Sequence, residues 1–257
     1  MRPGRAGVLR GKRWAEALLE ALASPPRETV NWMEAHTRVI KSDAYSRVGL
    51  LELAGESSYL KYYRQKSILQ QWWFWLGRGR GVQAFDRAGQ LAAAGIRVPE
   101  ARACLLVPGG MLLLTQGLAQ ARDLKALWQS QPSEQTLTEV LGMASCTLAD
   151  LHRAGFAHGD CKWSNLLWWD DSVYLVDLEA VTRASPGDAA QARDLARFTV
   201  NAEDLGVGQE QYFVFLDAYC QAMEMPREAV VDRMRGDLQR YRARHREKYG
   251  ERGAPLL

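Results

Sequence analysis

The sequence lacks the cysteine patterns that mark metal sites and disulfide frameworks. Its four cysteines are scattered along 257 residues, with no C-x-x-C pair and no histidine at metal-ligand spacing. These absences exclude the common zinc motifs and a small disulfide-stabilised module. The pattern favours free thiols and a reducing cytoplasm.

Long apolar runs are also missing. The longest runs, WWFWL and MLLL, are far shorter than the about 20 residues that a membrane-spanning helix needs. Residues 1–26 carry positive charge, but they contain no unbroken apolar core followed by a small-residue cleavage site. We therefore expect neither a spanning segment nor a secretion signal.

There is no large excess of one charge. The formal net charge is only +3, so the whole protein does not present the basic surface that is typical of nucleic-acid binding. Local basic segments do occur at residues 77–81 and 239–252. The second of these is interpreted either as a solvated helix face or as a contact to an anionic surface.

What is present is the composition of a folded protein, with 47% hydrophobic and 25% charged residues. Apolar residues recur at helical spacing over residues 12–23, which predicts an amphipathic helix packed against the main body. Extended segments at 47–64 and 102–118 predict two β-hairpins, with a helix over 82–94 between them.

After Gly117 the pattern becomes mostly helical. We therefore predict an α+β protein with a hinge near residues 115–119. Its three parts are a helical leader, a β-rich lobe and a mainly helical lobe that ends in a basic helix, at residues 1–35, 36–117 and 118–257.

Polar residues at short fixed spacings interrupt the apolar pattern between residues 151 and 181. Asn165 comes just before one predicted strand, and Asp177 comes at the end of the next. Because these two ends of a hairpin lie side by side, both side chains should converge, with Asp160 nearby. Such oxygen ligands suit Mg²⁺. Taken singly, Asp177 could instead cap a turn and Asn165 could satisfy loop backbone groups.

This layout resembles the catalytic loop and metal-binding strand of the protein-kinase superfamily, H-R-D-x-x-x-x-N followed by D-F-G. Here the residues read HGDCKWSN and DLE. The glycine in place of arginine and the D-x-E ending are more similar to small-molecule and sugar kinases. Together with AFDRAGQLAAAGIRVPEA upstream, the sequence is most similar to the bacterial lipopolysaccharide core kinases, the Kdo/heptose kinase family, over about residues 47–200.

The resemblance implies a two-lobed protein-kinase-like fold, with a small β-rich N-lobe and a larger, mainly helical C-lobe. It also implies roles for five residues. Asp160 would orient the acceptor hydroxyl and take its proton, and Lys162 would neutralise charge on the moving phosphoryl group. Asn165 and Asp177 would hold Mg²⁺ on the ATP phosphates, and Lys61 would contact the α and β phosphates.

The sequence departs from the kinase pattern at three points. No G-x-G-x-x-G precedes Lys61, so the phosphate-covering turn is predicted somewhere in residues 41–49. Asp86 is the only acid in the helix that should supply a partner for Lys61, and it is a weak candidate. Glu179 replaces the glycine of D-F-G, and it either assists metal binding or packs nearby.

Three further polar residues are assigned supporting positions. His152 is interpreted as a packed, hydrogen-bonded helix residue, and His158 as a support of the loop backbone that does not act as a general base. The resemblance suggests that Asp194, at the start of a helix, braces the catalytic loop. An acid favoured by the helix dipole is an equal alternative for Asp194.

Residues 70–81 combine aromatics with arginines. The four consecutive aromatics of this segment, residues 72–75, cannot all face inward on a helix or a strand, so at least one or two should be exposed. The segment is interpreted either as a contact to a membrane or sugar-lipid surface, or as a hydrophobic plug under the following helix.

The function predicted from the resemblance is an ATP- and Mg²⁺-dependent kinase that phosphorylates a sugar hydroxyl of the lipopolysaccharide inner core. It would act in the cytoplasm, peripherally at the inner membrane. Its substrate would be a core oligosaccharide or another anionic sugar-lipid, and it would have no nucleic-acid partner. One alternative keeps the chemistry but uses another acceptor, such as an aminoglycoside, choline or a protein serine. Another is a kinase-fold nucleotide-binding protein without turnover.

Overall fold

The computed structural model describes residues 6–22, 29–42, 46–251 and 253–257. The chain divides into two compact units. The first takes its described residues from positions up to Ala93 and from Pro99–Ala119, and the second consists of Ala94–Val98 and Gln120–Leu257. The predicted three-part division of the chain stays a prediction.

The first unit is built on an antiparallel sheet. Within the described ranges the sheet has six strands in the order β1-β5-β6-β4-β3-β2. The strands are β1 (Gly7–Arg10), β2 (Arg38–Ser42), β3 (Ser46–Leu53), β4 (Glu56–Arg64), β5 (Ala101–Val107) and β6 (Gly110–Gln116).

The hairpin predicted over residues 47–64 is present as β3 and β4. Leu53 pairs with Glu56, so the connection is a two-residue turn. Ala54 and Gly55 both have positive φ, 51° and 78°, as a type I′ turn requires. This turn matches the right-handed twist of the strands and fixes the register of β4, which carries Lys61 opposite Val48.

Helices cover both faces of this sheet. They are α1 (Lys12–Ala21), α2 (Thr29–His36), α3 (Ile68–Trp75) and α4 (Arg80–Ala93). On one face, Leu18 of α1 and Met33 of α2 pack in a core with Leu60 and Leu105. On the other face, residues of α3 and α4 form a second core with side chains of β4, β5 and β6. The alternation of the strands thus buries both faces.

The packing of α1 against the sheet agrees with its predicted docking on the main body. Ala15 and Leu18 are completely buried. Trp14 lies against the guanidinium of Arg102, with 4.2 Å between the guanidinium carbon and the ring centroid. Arg102 is itself buried, and it donates to the Ser57 carbonyl at 2.8 Å and forms an ion pair with Glu56. These contacts fix α1 to the sheet, mainly at β5.

β1 and α3 were not predicted. β1 is only four residues long and has no apolar alternation, so its pairing with β5 is decided by tertiary contacts and not by pattern. α3 has an almost continuous apolar sequence, and such a run does not distinguish a helix from a strand.

The second unit is mainly helical. Its helices are α5 (Leu124–Gln129), α6 (Glu134–Arg153), α7 (Ala189–Asp204), α8 (Gln209–Ala222) and α9 (Arg227–Tyr249). Its short strands are β7 (Arg122–Asp123), β8 (Phe156–Ala157), β9 (Leu166–Trp169), β10 (Ser172–Leu175) and β11 (Thr182–Arg183). The face of α6 that was predicted to be apolar, Leu141, Ala144, Leu148 and Leu151, is buried.

The basic C-terminal segment forms most of the exposed part of α9. Several of its polar side chains have partners on the protein: Arg242 pairs with Glu203, Arg240 pairs with Asp237, and His245 contacts the carboxylate of Asp204. This pattern favours the solvated-face interpretation of the segment. No helix within the described ranges combines the length and the apolar character needed to cross a bilayer.

Candidate active site

The polar cluster of the second unit lies between the end of α6 and the hairpin of β9 and β10. β9 and β10 are joined by Asp170 and Asp171, which both have positive φ and form a tight two-residue turn between Trp169 and Ser172. A short 3-10 helix, Trp163–Asn165, leads into β9. Asn165 therefore stands immediately before the first strand, and Asp177 stands just after the second.

The structure brings Asp160 and Asn165 into direct contact. The Asn165 amide donates to the Asp160 carbonyl oxygen at 2.9 Å and to the Asp160 carboxylate at 3.2 Å. The backbone N–H of Val176 donates to the Asn165 carbonyl at 3.0 Å, which places Asp177 one residue beyond this bond. The three predicted positions therefore lie at one locus of the second unit.

Asp177 has a left-handed backbone conformation, with φ 62° and ψ 48°. Few residues other than glycine adopt it, and such conformations concentrate at functional sites because the surrounding structure has to hold them. Asp177 precedes a short 3-10 helix, Leu178–Ala180, in which Glu179 is half-buried. The conformation turns the chain sharply at the end of the hairpin.

Two cations contact the carboxylate of Asp160. The Lys162 ammonium lies 3.0 Å from Oδ2, and the guanidinium of Arg197, on α7, lies 3.0 Å from Oδ1. Arg197 was missed by the sequence analysis, because a residue of a different helix reaches this loop only through tertiary packing. The two pairs hold both carboxylate oxygens in place.

His158 supports the loop through backbone contacts, as predicted. Its ring is fully buried. Nε2 lies 2.9 Å from the Val176 carbonyl oxygen, and Nδ1 lies 3.3 Å from the backbone nitrogen of Asp160. A carbonyl can only accept and an N–H can only donate, so the proton must be on Nε2. His158 thus joins the loop to the strand end beside Asp177.

Asp194 braces the same loop. Its carboxylate accepts from the backbone N–H groups of His158, at 2.5 Å, and of Gly159, at 2.8 Å. The helix begins earlier than predicted, at Ala189 with Asp188 as its N-cap, so Asp194 lies inside α7 and not at its start. The alternative based on the helix dipole is therefore not supported, since dipole effects fade after the first turn.

A buried network stands behind this brace. Nε2 of His152 lies 3.4 Å from Asp194, and its Nδ1 lies 2.7 Å from the Tyr219 hydroxyl. Burial is the main cause that raises the pKa of Tyr219 above its ordinary value. The neutral phenol can therefore donate to Nδ1, which leaves the proton of Nε2 directed at Asp194. His152 is a packed, hydrogen-bonded helix residue, as predicted.

The donor set fits a hard divalent cation. The Asn165 amide nitrogen is used by Asp160, which leaves the amide oxygen as the ligand atom, and Asp177 offers a carboxylate. Within the part of the chain that the structure describes, no group of three or more His, Cys, Asp or Glu could hold a metal. A cation here would need further oxygens, such as those of phosphates and water, as Mg²⁺ usually does.

The remaining predicted residues belong to the first unit. Lys61 is half-buried on β4, with its ammonium 5.2 Å from the ring centroid of Tyr63. Asp86, on α4, accepts two hydrogen bonds from Arg10, at 2.8 and 3.1 Å. A contact between Asp86 and Lys61 would have to compete with this bidentate pair, and it stays a prediction. In the predicted phosphate-covering segment, 41–49, residues 43–45 lie outside the described residues.

Comparison with known families decides the class of this site. The sequence model of the lipopolysaccharide kinase (Kdo/WaaP) family matches residues 30–219. The chain belongs to this family. As a member of the Kdo/WaaP family it is a phosphotransferase of the kinase type, and membership implies the use of ATP. The family predicted from the catalytic-loop residues is confirmed.

A solved structure described as WaaP in complex with acyl carrier protein has the same fold as this Kdo/WaaP family member. The two chains are 19% identical and superpose with a TM-score of 0.60, covering 95% of this chain and 99% of the other. At this identity the similarity shows the fold alone. The predicted two-lobed, protein-kinase-like α+β fold is therefore confirmed.

Two more distant similarities add no functional detail. The structure of vaccinia related kinase 3 is 16% identical and covers 58% of this chain and 48% of its own, with a TM-score of 0.41. Over 89 residues, 35% of this chain, a probable bifunctional tRNA threonylcarbamoyladenosine biosynthesis protein of Methanocorpusculum labreanum is 29% identical. The chain spans only 14% of the length of that curated relative.

Proposed function

We propose that the protein is an ATP- and Mg²⁺-dependent kinase that phosphorylates a sugar hydroxyl of the lipopolysaccharide inner core. The observation that carries the proposal is the meeting of Asp160, Asn165 and the strand end before Asp177, joined by hydrogen bonds of 2.9 to 3.2 Å. Phosphoryl transfer needs positioned oxygens and charge neutralisation more than covalent chemistry by the protein, so this small set of groups is sufficient.

Asp160 serves the acceptor hydroxyl. Its carboxylate orients the hydroxyl and takes its proton while the hydroxyl oxygen forms a bond to the γ-phosphorus. The bond between the γ-phosphorus and the bridging oxygen of ATP breaks, and ADP leaves with the bonding electron pair. The contacts of Asp160 with Asn165, Lys162 and Arg197 keep its carboxylate in a fixed position before substrate arrives.

The cations around Asp160 serve the transferred group. Lys162 lies against one carboxylate oxygen and Arg197 against the other, and each oxygen can accept two hydrogen bonds, so an entering hydroxyl can donate to Oδ1 beside Arg197. The Lys162 ammonium and the Arg197 guanidinium are then close to the reacting oxygens, where they would neutralise charge on the transferred phosphoryl group. Mg²⁺, held by Asn165 and Asp177, would neutralise charge on the ATP phosphates. Lys61 would contact the α and β phosphates.

The proposed acceptor is part of an anionic sugar-lipid, the lipopolysaccharide core oligosaccharide. A protein that phosphorylates this acceptor in the cytoplasm would work peripherally at the inner membrane, without a nucleic-acid partner. The support for this acceptor is the family of the chain and the presence of two cations beside the candidate base. Cations at this position favour an acceptor that carries phosphate or carboxylate groups over a cationic acceptor such as an aminoglycoside or choline.

The proposal is tested by supplying labelled ATP and Mg²⁺ with one acceptor at a time. Deep-rough lipopolysaccharide, an aminoglycoside, choline and a serine-containing protein cover the alternatives. We expect Mg²⁺-dependent label in lipopolysaccharide alone. Label in another acceptor would replace the proposed substrate, and nucleotide binding without transfer to any acceptor would favour the non-catalytic alternative.

The metal assignment has its own control within the same hairpin. Asp177→Asn should abolish the Mg²⁺-dependent part of nucleotide affinity, because it removes the carboxylate ligand. Asp171→Asn changes an aspartate at the tip of the hairpin and should leave that affinity unchanged, since asparagine tolerates the positive φ found there. Equal affinities for the two variants would contradict the assignment.

A further inference from the structure

α3 and the residue after it present an unusual exposed apolar surface. Five large side chains are between 41% and 68% exposed, and we call them the tryptophan surface: Leu69, Trp72, Trp73, Trp75 and Leu76. Phe74, in the middle of the set, is only 3% exposed and packs in the core with Met111 and Val82. The helix is thus anchored by one aromatic and directs three tryptophans outward.

This arrangement contradicts the interpretation of the segment as a hydrophobic plug. A plug would bury most of the aromatic side chains, whereas three of the four consecutive aromatics are exposed. The expectation that at least one or two are exposed is confirmed. Clustered exposed apolar side chains are uncommon on soluble proteins and mark an interaction surface.

The surroundings of the tryptophan surface are cationic. Residues 64–81 contain no Asp or Glu, and they carry exposed side chains of Arg64, Lys66, Arg78 and Arg80. The Arg78 guanidinium lies 5.4 Å from the ring centroid of Trp73. Apolar rings and cations therefore occupy the same small region of the first unit.

We propose that the tryptophan surface docks into the interfacial layer of an anionic lipid bilayer. Tryptophan partitions to the level of the lipid headgroups, where its ring is buried and its N–H stays hydrated. Arginine and lysine beside it are attracted to anionic headgroups. A second copy of the chain is a poorer occupant, because two identical cationic surfaces repel each other.

This inference goes beyond the phosphoryl transfer proposed above and can fail independently of it. Docking requires neither nucleotide nor acceptor, so vesicles without lipopolysaccharide test it directly. If kinase activity is found and vesicle binding is not, the docking proposal alone is overturned. Vesicle binding without transfer overturns the proposed function alone.

The experiment measures co-sedimentation of the full chain with vesicles of phosphatidylcholine, with and without phosphatidylglycerol. The wild type should bind only the vesicles that contain phosphatidylglycerol, and salt should weaken binding. Trp72→Ala combined with Trp75→Ala should reduce binding at least about tenfold, because it removes the apolar contact. Arg78→Glu combined with Arg80→Glu should reduce binding by a similar factor through charge reversal.

Matched controls exist on α9. Tyr249 is also an exposed aromatic next to a cation, with the Lys248 ammonium 4.9 Å from its ring centroid, and Arg244 is exposed. Tyr249→Ala and Arg244→Glu should bind vesicles as the wild type does. The surface variants should retain the wild-type thermal unfolding midpoint and nucleotide affinity, because the side chains they change are exposed.

Two results would overturn the proposal. The first is that the wild type does not bind vesicles, or that the wild type and both surface variants bind them equally. The second is a concentration-dependent dimer, measured by sedimentation velocity, that is lost in the tryptophan variant while vesicle binding is absent. That outcome would assign the tryptophan surface to a second copy of the chain.

Discussion

At the residue scale, the loop of the candidate site depends on a glycine where protein kinases have arginine. Gly159 has φ 77°, and a Cβ added there would lie 2.4 Å from the Ala180 carbonyl oxygen. A side chain at this position is excluded both by the backbone conformation and by a neighbouring backbone atom. The N–H that Gly159 presents in this conformation is one of the two that Asp194 accepts.

Gly159→Ala should therefore distort the loop that carries Asp160. We expect a destabilisation of roughly 1–3 kcal/mol and a loss of phosphoryl transfer larger than the loss of folded protein. Thermal unfolding and label transfer to lipopolysaccharide measure the two effects. Gly142→Ala is the control, because Gly142 lies in α6 with no atom near the added Cβ. The free energy of unfolding of this variant should rise by up to about 1 kcal/mol, and its transfer activity should stay at the wild-type level.

Arg197 tests the role of charge beside the candidate base. Arg197→Ala should lower the rate of transfer about tenfold or more, because a positioned cation near the reacting oxygens is lost. Arg197→Lys should recover part of that rate. Nucleotide affinity should not change in either variant. Arg193→Ala, an exposed arginine one turn earlier on α7, is the control.

Loss of nucleotide affinity in Arg197→Ala, or full activity in the same variant, would contradict this role.

The contrast between Arg197 and Asn165 shows which contacts of the site a sequence can predict. Asn165 and Asp177 flank two strands of one hairpin, so local topology alone brings them together. Arg197 reaches Asp160 across 37 residues of chain because α7 packs behind the loop, and no local pattern predicts that contact.

At the element scale, α1 and α2 together cover one face of the sheet. Leu18 of α1 is completely buried in the core that includes Leu60, Leu105 and Leu112. The helical spacing of the apolar residues of α1 made this helix and its packing predictable. α3 could not be predicted in the same way, because its apolar residues occur on all sides and, among the α3 side chains whose burial the structure describes, only Phe74 is buried.

Leu18→Ala should loosen the sheet of the first unit. A buried leucine-to-alanine change costs about 2–5 kcal/mol, because it removes apolar contacts and leaves a cavity. Faster amide hydrogen exchange in β5, which α1 contacts, measures this loss locally. Glu16→Ala, an exposed change on the same helix, should leave exchange in β5 unchanged. Equal exchange rates in the two variants would show that α1 does not stabilise the sheet.

At the scale of the whole molecule, the reactivity of the four cysteine thiols tests the burial seen in the structure. All four cysteines are free; Cys146 is exposed, and Cys104, Cys161 and Cys220 are buried. Burial raises the pKa of Cys104 to about 12 and raises the pKa of Cys161 and Cys220. Because a raised pKa keeps a thiol protonated at neutral pH, these three should be unreactive in the folded protein.

Iodoacetamide should therefore modify Cys146 first in the native protein and all four cysteines after denaturation. Mass spectrometry of the peptides measures the order of modification. Cys161 is the informative residue, since it follows Asp160 directly in the loop. Rapid native modification of Cys161 would show that the loop opens to solvent and would contradict the braced arrangement.

The central claim is that Asp160 takes the proton of a lipopolysaccharide hydroxyl as phosphate is transferred. Its most direct test is the turnover rate of Asp160→Asn compared with the wild type, at saturating ATP, Mg²⁺ and deep-rough lipopolysaccharide. Asparagine keeps the shape of the side chain but cannot accept the proton, so we expect the rate to fall by about 10²–10⁴-fold with nucleotide affinity retained. A variant that turns over at the wild-type rate would contradict the account.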